Sequence, residues 1–552
     1  MRDIATIRGA DALVRSLQEA GVRCVFSLSG NQIMPVYDAL LDSDIRLVHV
    51  RHEAAAVYMA EAWAQLTGQI GVALVTAGAG FGNALGALIS AQASETPGAR
   101  LSGDSPRAQD GMGAFQEMDQ VGMARPITKL ALRATAPELL AAEFAQVVRA
   151  ARGGRPGPVH LALPADVLTG AVPHGLAQAL SFAPMAQELP VDHATQLTAF
   201  LYGAECPLVL LGPSLARTRT GAAHAQLQAA LGAPVICMES PRGLRDPAYG
   251  ALTDLTRRAD RILLLGKQAD FTTGFLGADM GRPDARFAVI DPEDAALERA
   301  RACLGLRLEL ASKADPLPAL QTLVANAGTA PKRADWLAEA AEALAKRAPM
   351  PPAPQKDELH AAQVGAVLQA QLAAHPGAVL ICDGGEFGQW MQAIAHDGPR
   401  VINGVSGAIG AGPAYAIAAS LACPDVPVFA TMGDGTAGFL LAEYETAARE
   451  GARFVAIIGN DTVWNAEHQI QIREFGADRT FGCTLSEGAR YDRAAEGLGC
   501  FGAYLASNNP LELAELLQAA QASGLPACLN LRICPAPAPV VQGKSPAAAL
   551  TH

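Results

Sequence analysis

Short apolar runs of β-type residues alternate with Ala- and Leu-rich stretches of helical period along this 552-residue chain. That alternation is typical of parallel sheets covered by helices, so the sequence predicts an α/β fold. The runs at residues 24–27, 70–75, 207–211, 379–382 and 454–458 show it clearly. Because a single hydrophobic core stops growing near about 250–300 residues, the chain must divide into several domains.

Pro-containing connections indicate where the chain divides. One lies at residues 182–192 and a second, rich in proline, lies at 347–354. A helix cannot continue through such a stretch, so we place linkers there. We predict three doubly wound parallel-sheet domains and a flexible Pro/Ala-rich tail, at residues 1–180, 190–345, 355–535 and 536–552.

Charge and cysteine usage exclude several classes of protein. The 42 basic and 54 acidic residues give a formal charge of −12, which would repel a phosphate backbone. We therefore expect no nucleic-acid partner. The ten cysteines are widely separated without a CxxC pair, which is typical of a reducing compartment. Neither a signal peptide nor a membrane span is evident, so we expect a cytoplasmic protein with no membrane partner.

Two Gly/Asp turns carry the strongest chemical signal. The turn at 433–435 and the turn at 460–461 each follow a predicted strand. In a parallel sheet both turns fall at the carboxyl edge, where ligands bind. Asp434 and Asp461 are therefore predicted to lie side by side as oxygen ligands for Mg²⁺ or Ca²⁺, with the carbonyl of Val463 as a third ligand. A plain glycine turn is the alternative for either segment alone.

This pair of turns resembles the Gly-Asp-Gly…Asn-Asn signature of thiamine-diphosphate enzymes, in which a metal ion holds the diphosphate of the cofactor. The resemblance implies thiamine diphosphate and Mg²⁺ as cofactors, with Asp434, Asp461 and Val463 as metal ligands. Asp461 departs from the family pattern, since an Asn usually stands there. The extra carboxylate adds negative charge beside the diphosphate.

Glu53 opens a predicted helix directly after a strand, where the family has its cofactor-activating glutamate. The resemblance implies that Glu53 hydrogen-bonds N1′ of the aminopyrimidine and promotes its imino form. An acidic residue in the first turn of a helix is also favoured by the helix dipole, which is the alternative. The Gly-rich run at 74–83 is similar to the family's turn beside the pyrimidine.

The likeness to the acetolactate synthase and benzaldehyde lyase branch covers nearly the whole chain. Gln116 lies in a stretch similar to one that reaches the active site, so the resemblance implies a polar contact to substrate or intermediate. Asn31 and Gln32 occupy the turn that borders the reacting carbon, where neutral amides can orient a carbonyl or carboxylate. The alternatives are a loop residue bonded to backbone for Gln116 and a helix cap for the turn. The implied catalytic residues are Glu53, Gln116, Asn31 and Gln32.

Further stretches resemble the parts of the family that hold the bent cofactor. The turn at 383–387 matches the second diphosphate contact, and the motif at 404–410 matches the support of the two rings, with Ile409 as the apolar wedge. Core packing would also explain an Ile there. The implied cofactor contacts are Glu53, Thr76, Gly78, Asn83, Gly384, Gly385, Glu386, Phe387, Gly407, Ile409, Gly433, Asp434, Gly435, Thr436, Asp461, Val463 and Trp464.

The middle domain resembles the family's Rossmann-like domain, which carries FAD in some members and ADP in others. Residues 265–270 and 289–292 occupy the places where a nucleotide would lie, but no complete G-x-G-x-x-G is present. The resemblance leaves FAD or ADP open, and the incomplete fingerprint favours a vestigial site.

The sequence therefore predicts a thiamine-diphosphate- and Mg²⁺-dependent C–C lyase or carboligase, acetolactate synthase-like, acting on a 2-ketoacid such as pyruvate. Benzaldehyde lyase-like acyloin cleavage and a 2-hydroxyacyl-CoA lyase reaction are alternatives, because the tryptophan typical of acetolactate synthases is replaced by Ile470. A flavin or nicotinamide oxidoreductase and a non-catalytic paralogue are alternatives of other classes. By resemblance, active sites lie between subunits of a homodimer or homotetramer.

Overall fold

A computed structural model describes residues 6–173, 180–351, 358–395 and 398–541. Three sheets, all parallel, succeed one another along these residues, with six, five and six strands. The predicted α/β fold with three parallel-sheet domains is confirmed. The strands of each sheet fall within one of the predicted domain ranges, and the boundaries themselves stay predictions.

The first domain contains a parallel sheet of order β3-β2-β4-β5-β7-β6 and a separate antiparallel pair, β1 with β8. Its strands are β1 (Thr6–Arg8), β2 (Cys24–Ser27), β3 (Arg46–His49), β4 (Gly71–Val75), β5 (Gly98–Asp104), β6 (Ala131–Arg133), β7 (Pro158–Pro164) and β8 (Ala171–Pro173). Its helices are α1 (Gly9–Glu19), α2 (Met34–Leu41), α3 (Glu53–Thr67), α4 (Ala79–Asn83), α5 (Leu85–Ala93), α6 (Gln120–Ala124), α7 (Leu140–Arg152) and α8 (Ala165–Thr169).

The middle domain has the strand order β10-β9-β11-β12-β13. Its strands are β9 (Pro207–Leu211), β10 (Val235–Cys237), β11 (Arg261–Leu265), β12 (Arg286–Asp291) and β13 (Leu308–Lys313). Its helices are α9 (Val191–Tyr202), α10 (Arg217–Thr220), α11 (Ala223–Leu231), α12 (Leu252–Arg258), α13 (Asp294–Leu304), α14 (Pro316–Ala325) and α15 (Ala334–Ala345). Alternate residues of β9 pack into two different cores, so helices cover both faces of the sheet.

The third domain has the strand order β15-β14-β16-β17-β19-β18. Its strands are β14 (Val379–Asp383), β15 (Arg400–Ile402), β16 (Val428–Gly433), β17 (Val455–Asn460), β18 (Phe501–Leu505) and β19 (Ala527–Arg532). Its helices are α16 (Ala361–Ala374), α17 (Gly385–Ile394), α18 (Gly412–Ala422), α19 (Asp434–Ala437), α20 (Glu443–Glu450), α21 (Asn465–Phe475), α22 (Tyr491–Gly497) and α23 (Pro510–Ala522).

The parallel sheets of the first and third domains have the same topology. Counted along the chain, both follow the order second, first, third, fourth, sixth, fifth. In both, the strand order reverses between the first and third strands, which is the switch point where α/β sheets bind ligands. The middle sheet reverses between its own first and third strands, β9 and β11.

Several strands lack the apolar run by which the others were predicted. The central strand β5 has the sequence Gly-Ala-Arg-Leu-Ser-Gly-Asp, yet it pairs with β4 and β7 and is almost wholly buried. The other strands missed in the parallel sheets, β6, β13, β15 and β18, lie at sheet edges, where one side is free of a neighbour. Pairing with neighbouring strands, and not a local apolar run, therefore determines these assignments.

The first and third domains share one hydrophobic core. Helix α3 packs along α18, and buried residues of both helices belong to the same cluster. Within this contact the hydroxyl of Tyr415 donates to Oε2 of Glu61 at 2.8 Å. The position of Glu53, the first residue of α3, is thus fixed by packing against the third domain.

The predicted tail begins against the third domain. The side chain of Asn465 donates to the carbonyl of Ala536 at 2.8 Å, and Trp390 donates to that of Pro537 at 2.9 Å. Residues 542–552 of the tail, and residues 352–354 of the predicted linker, lie outside the described residues.

All ten cysteines are free thiols, and none forms a disulfide. Within the described ranges, no helix is both long and apolar enough to cross a membrane.

Candidate active site

The predicted site residues form two separate groups. Glu53, Gln32, Thr76, Asn83 and Gln116 cluster at the carboxyl edge of the first sheet, which we call the first-domain half-site. The third-domain half-site lies at the corresponding edge of the third sheet. It comprises Gly384, Ile409, Asp434, Gly435, Thr436, Asp461, Val463 and Trp464.

Glu53 is a buried carboxylate at the start of α3, with 7% of its surface exposed. The ring of His52 caps the helix, since its Nδ1 accepts from the backbone N–H of Ala54 at 3.1 Å. The side chain of Asn83 donates to Oε2 of Glu53 at 3.0 Å. A carboxylate has more acceptor positions than this one bond fills, so Glu53 can still accept a hydrogen bond from a ligand.

Three predicted residues form a chain of hydrogen bonds beside Glu53. The hydroxyl of Thr76 donates to Oε1 of Gln32 at 2.5 Å, and Nε2 of Gln32 donates to Oε1 of Gln116 at 2.9 Å. Gly78 lies close to Gln116, since a Cβ added at Gly78 would be 2.8 Å from the Cβ of Gln116. Because the amide oxygen of Gln116 is engaged, its amide nitrogen remains to donate to a ligand.

Gln116 is held in a left-handed conformation, with φ of 60°. The next residue, Glu117, stabilises the loop, because its carboxylate accepts backbone N–H groups from Gly111, Gly113 and Ala114 at 2.5, 2.9 and 3.0 Å. Strained backbone of this kind concentrates at binding sites. Asn31 is exposed at the start of a short 3₁₀ helix and does not belong to the hydrogen-bonded chain.

The third-domain half-site holds two buried carboxylates. Asp434 begins α19 directly after β16, and Asp461 follows β17; they are 2% and 7% exposed. Burial raises the pKa of Asp434 to about 6. Burial, together with the charge of Asp434, raises the pKa of Asp461 to about 8. Two neighbouring acids with raised pKa values are what a divalent cation would stabilise in ionised form, so the donor set fits Mg²⁺.

No group of three or more His, Cys, Asp or Glu side chains in the described part of the chain is arranged to hold a metal ion. A site built on Asp434 and Asp461 therefore requires oxygen ligands from backbone and cofactor as well. Two backbone hydrogen bonds hold the loop that follows Asp461. Trp464 N–H donates to the carbonyl of Cys483 at 2.8 Å, and Leu485 N–H donates to that of Thr462 at 2.7 Å.

Gly384, Ile409 and Thr436 meet at one point of the third-domain half-site. Gly384 has φ of 62°, and a Cβ there would lie 2.8 Å from Cγ2 of Ile409 and 3.0 Å from Oγ1 of Thr436. Only glycine allows this approach. The buried carboxylate of Asp383 joins the same segments, because it accepts N–H groups of Gly410 and Gly412 at 3.1 and 2.6 Å.

Trp464 covers the Gly-Asp-Gly turn. A Cβ at Gly435 would lie 2.7 Å from its indole, and the ring of Phe439 meets it edge-on at 6.2 Å. Phe387 packs against Gly459 on β17.

Two predicted cofactor contacts, Gly407 and Glu386, lie outside the third-domain half-site. Gly407 is exposed. Glu386 accepts from Gln389 at 2.7 Å, and burial raises its pKa.

Glu443 is a site-supporting residue that the sequence interpretation missed. It is fully buried in the third domain, and its Oε1 accepts the backbone N–H groups of Arg51 and His52, each at 3.0 Å. Burial raises its pKa to about 7. These bonds tie the third domain to the turn that presents Glu53. No local pattern reveals such a contact, since the partners are 392 and 391 residues apart.

Within one chain, no hydrogen bond among the described residues joins the first-domain half-site to the third-domain half-site. Glu443 links the backbone before Glu53 to the third domain, but not to its carboxylate pair. Apolar side chains beside both half-sites are exposed, including Phe115 at 70% and Phe439 at 56%.

The geometry does not favour the FAD or ADP that the resemblance left open in the middle domain. At the switch point between β9 and β11, the N–H of Ser214 donates to Glu95 at 2.9 Å, and Arg155 donates to the carbonyl of Gly266 at 2.9 Å. Arg155 also pairs with Glu95 and with Asp291 at the end of β12. Buried side chains of the first domain thus engage the groups that would meet a nucleotide.

Two family models match the chain. Residues 7–123 match "Thiamine pyrophosphate enzyme, N-terminal TPP binding domain", and residues 383–531 match "Thiamine pyrophosphate enzyme, C-terminal TPP binding domain". The acetolactate synthase large subunit of Mycobacterium tuberculosis is 30% identical over 95% of this chain and 96% of its own length. The 2-hydroxyacyl-CoA lyase 2 of Homo sapiens is 29% identical over 96% and 91%. The catabolic acetolactate synthase of Raoultella terrigena is 39% identical over 37% and 36%.

Proposed function

The chain belongs to the thiamine-pyrophosphate enzyme family, in its acetolactate synthase-like branch, and from this premise we propose that it is a Mg²⁺-dependent carboligase that decarboxylates a 2-ketoacid such as pyruvate. The observation that carries the proposal is the pair of buried carboxylates at adjacent strand ends, Asp434 and Asp461. The sequence pattern of separated cysteines favours the cytoplasm.

Cofactor binding is assigned to the third-domain half-site. Asp434, Asp461 and the carbonyl of Val463 would hold Mg²⁺, while glycine amides at 384–385 and 433–435 would donate to the diphosphate. Ile409 would support the cofactor as an apolar wedge. When bound, thiamine diphosphate supplies the carbanion and the electron sink that protein side chains lack.

Glu53 is assigned the proton transfer that activates the cofactor. Its carboxylate is buried and oriented by Asn83, so it can hold and return a proton at a ring nitrogen. An acidic residue that served only the helix dipole would not need this burial and this bond. Burial also excludes water from the proton that is moved.

Substrate orientation is assigned to Gln116. Its amide nitrogen donates to a carbonyl or carboxylate oxygen, while Thr76 and Gln32 hold the amide in place. This part of the first-domain half-site contains neutral amides and a hydroxyl, which orient a substrate without competing for its protons. Asn31, although exposed, stays a candidate on the same turn.

Each complete site is proposed to form from two subunits of a homodimer or homotetramer. In support, the two half-sites of one chain share no hydrogen bond within the described residues, and exposed apolar groups flank both. The first-domain half-site of one subunit would then face the third-domain half-site of its partner.

A 2-hydroxyacyl-CoA lyase reaction is the second candidate. It is favoured by the human relative of that name, which is similar over 96% of this chain. Benzaldehyde lyase-like acyloin cleavage requires the same cofactor and remains a third. An oxidoreductase that uses the middle domain has little support, because first-domain side chains engage its switch point.

The proposal is tested by titrating the metal-stripped protein with thiamine diphosphate and Mg²⁺ in a calorimeter, followed by an assay for CO₂ released from pyruvate. Binding with CO₂ release supports the synthase reaction. Binding without CO₂, but with aldehyde released from a 2-hydroxyacyl-CoA, would favour the lyase. Absence of binding would contradict the assignment of the site.

A further inference from the structure

Arg100 lies in the interior of the first domain, on the central strand β5. It is 1% exposed and has β-strands on both sides. Its Nη2 donates to the carbonyl of Phe81 at 2.6 Å, and its guanidinium carbon lies 4.6 Å from the centroid of the Phe81 ring. Nε and Nη1 have no hydrogen-bond partner among the described residues.

Such an arginine is not explained by stability. A buried charge with unpaired N–H groups destabilises a fold, and apolar residues of similar size often replace buried ions without loss. The neighbours of Arg100 on β5, Ala99 and Leu101, are buried and apolar. The side chain therefore calls for an explanation in function.

Helix α4 connects Arg100 to Glu53. Phe81, in the middle of this short helix, receives the bond from Arg100. Asn83, two residues later, donates to Glu53 at 3.0 Å, and Gly80 lies against Oε1 of Glu53. One face of α4 therefore contacts the Glu53 carboxylate, and the guanidinium of Arg100 holds the middle of the helix.

The charged groups near Arg100 come from two elements, α3 and β7. Burial lowers the pKa of Arg100 to about 9, and the negative charge of Glu53 on α3 opposes that shift. Glu61, also on α3, lines a small cavity together with Arg100, but its carboxylate accepts hydrogen bonds from Ser94 and Tyr415. His160 on β7 lies 4.8 Å from the Phe81 ring, and burial and the charge of Arg100 keep its pKa well below the usual value. His160 is therefore neutral, and Glu53 is the carboxylate that Arg100 acts on.

We propose that Arg100 is a positioning residue for Glu53: it holds α4 through the Phe81 carbonyl and places a positive charge near the carboxylate. A positive charge near a carboxylate stabilises its ionised form. This inference rests on the proposed function, since it assigns Arg100 a purpose only if Glu53 activates the cofactor.

The test compares the full-length wild type with Arg100→Met, which removes the charge at similar length, and Arg100→Lys, which keeps it. Leu101→Met, on the opposite face of β5, is the matched control for a core substitution. Three quantities are measured: the melting temperature of the cofactor-free protein, the protons taken up when thiamine diphosphate and Mg²⁺ bind, and the pH profile of kcat. Proton uptake is obtained from calorimetry in buffers of different ionisation enthalpy.

For Arg100→Met we expect a melting temperature equal to or above that of the wild type, together with reduced proton uptake on binding. The acidic limb of the kcat profile should move up by about one pH unit, so that kcat on that limb is roughly tenfold lower. KM should change by less than about twofold, because ground-state substrate contacts are intact. Arg100→Lys should restore the limb, and Leu101→Met should leave it in place.

A lower melting temperature of Arg100→Met with unchanged proton uptake and pH profile would overturn the inference, since Arg100 would then be structural. If Arg100→Met does not fold, Arg100→Gln replaces it: it keeps a donor for the Phe81 carbonyl and lacks the charge, and an unmoved limb overturns the inference equally. Failure of the wild type to bind the cofactor would overturn the proposed function itself, which separates the two results.

Discussion

The first and third domains place different chemistry on the same scaffold. Their parallel sheets share one strand order, and both half-sites lie at the switch point of that order. At this edge the first-domain half-site presents amides, a hydroxyl and the carboxylate of Glu53, whereas the third-domain half-site presents two carboxylates and glycine turns. Topology thus determines where a ligand binds, and side chains determine which part of it each domain can hold.

The acids at the ends of the fourth strands sharpen this comparison. In the first domain, Asp104 ends β5 and is paired with Arg133 at 2.6 Å. In the third, Asp461 follows β17 and lies beside another acid, Asp434; burial and the charge of Asp434 raise the pKa of Asp461. The first domain neutralises its strand-end acid with a side chain of its own. In the third domain, the proposed Mg²⁺ ion would neutralise the strand-end acids.

The largest expected effect comes from removing one acid of the pair. Asp434→Ala should weaken binding of thiamine diphosphate with Mg²⁺ by about 100-fold or more, because the metal loses a charged ligand. Calorimetric titration measures this. Asp104→Ala, at the corresponding edge of the first sheet, is the control and should leave the affinity within about threefold. An equal loss of cofactor affinity in both variants would contradict the assignment of the metal to the third domain.

Glu53→Gln should show the opposite pattern. We expect kcat to fall by about 100-fold or more, since proton transfer is lost, while cofactor affinity stays within about fivefold. Steady-state kinetics and titration on one preparation provide both numbers. A Glu53→Gln enzyme that kept its kcat would remove the first-domain half-site from the reaction.

Asp461→Asn tests whether the pKa of Asp461 is raised in the folded, metal-free protein. A carboxyl whose folded pKa is about 8 keeps its proton in the folded state while the unfolded chain has lost it. The metal-free protein therefore loses stability as pH rises from about 4 to 8. Asn removes this effect, so the metal-free variant should melt higher than the wild type at pH 8. At pH 5 the two should differ less. Calorimetric melting at both values measures this, and equal differences would contradict it.

The smallest expected effect concerns the middle domain, where we predict no change at all. FAD and ADP, added to the purified protein, should neither bind in a titration nor raise its melting temperature, because Glu95 and Arg155 engage the switch point. Stoichiometric binding of either nucleotide would show that these side chains move aside.

Much of this arrangement is predictable from local sequence. The turns that hold Asp434 and Asp461 follow apolar strands, and Glu53 opens a helix after a strand, so position along the chain placed them at sheet edges. Strand β5 could not be predicted in the same way, because it buries Arg100 and Ser102 where an apolar run is expected. Its assignment depends on its two neighbouring strands.

Contacts between residues that are far apart in the sequence could not be predicted from local sequence patterns. Glu443 holds the turn before Glu53, and Arg155 joins the first domain to Asp291 in the middle domain. Each of these pairs forms only after separate domains have packed together. The bond between Gln32 and Gln116, which are 84 residues apart, likewise depends on the fold of the first domain. The amide side chains of Gln32 and Gln116 predicted that both would form polar contacts, but not that they would bond to each other.

Subunit complementation tests the central claim most directly: that a first-domain half-site and a third-domain half-site from different chains make one active site. Glu53→Gln and Asp434→Ala proteins, each expected to be inactive, are mixed and allowed to exchange subunits. If chains pair at random, about half of the dimers are mixed and each contains one intact site, so about a quarter of wild-type activity should return. No recovery, with subunit exchange demonstrated, would contradict the account, because both half-sites would then belong to one chain.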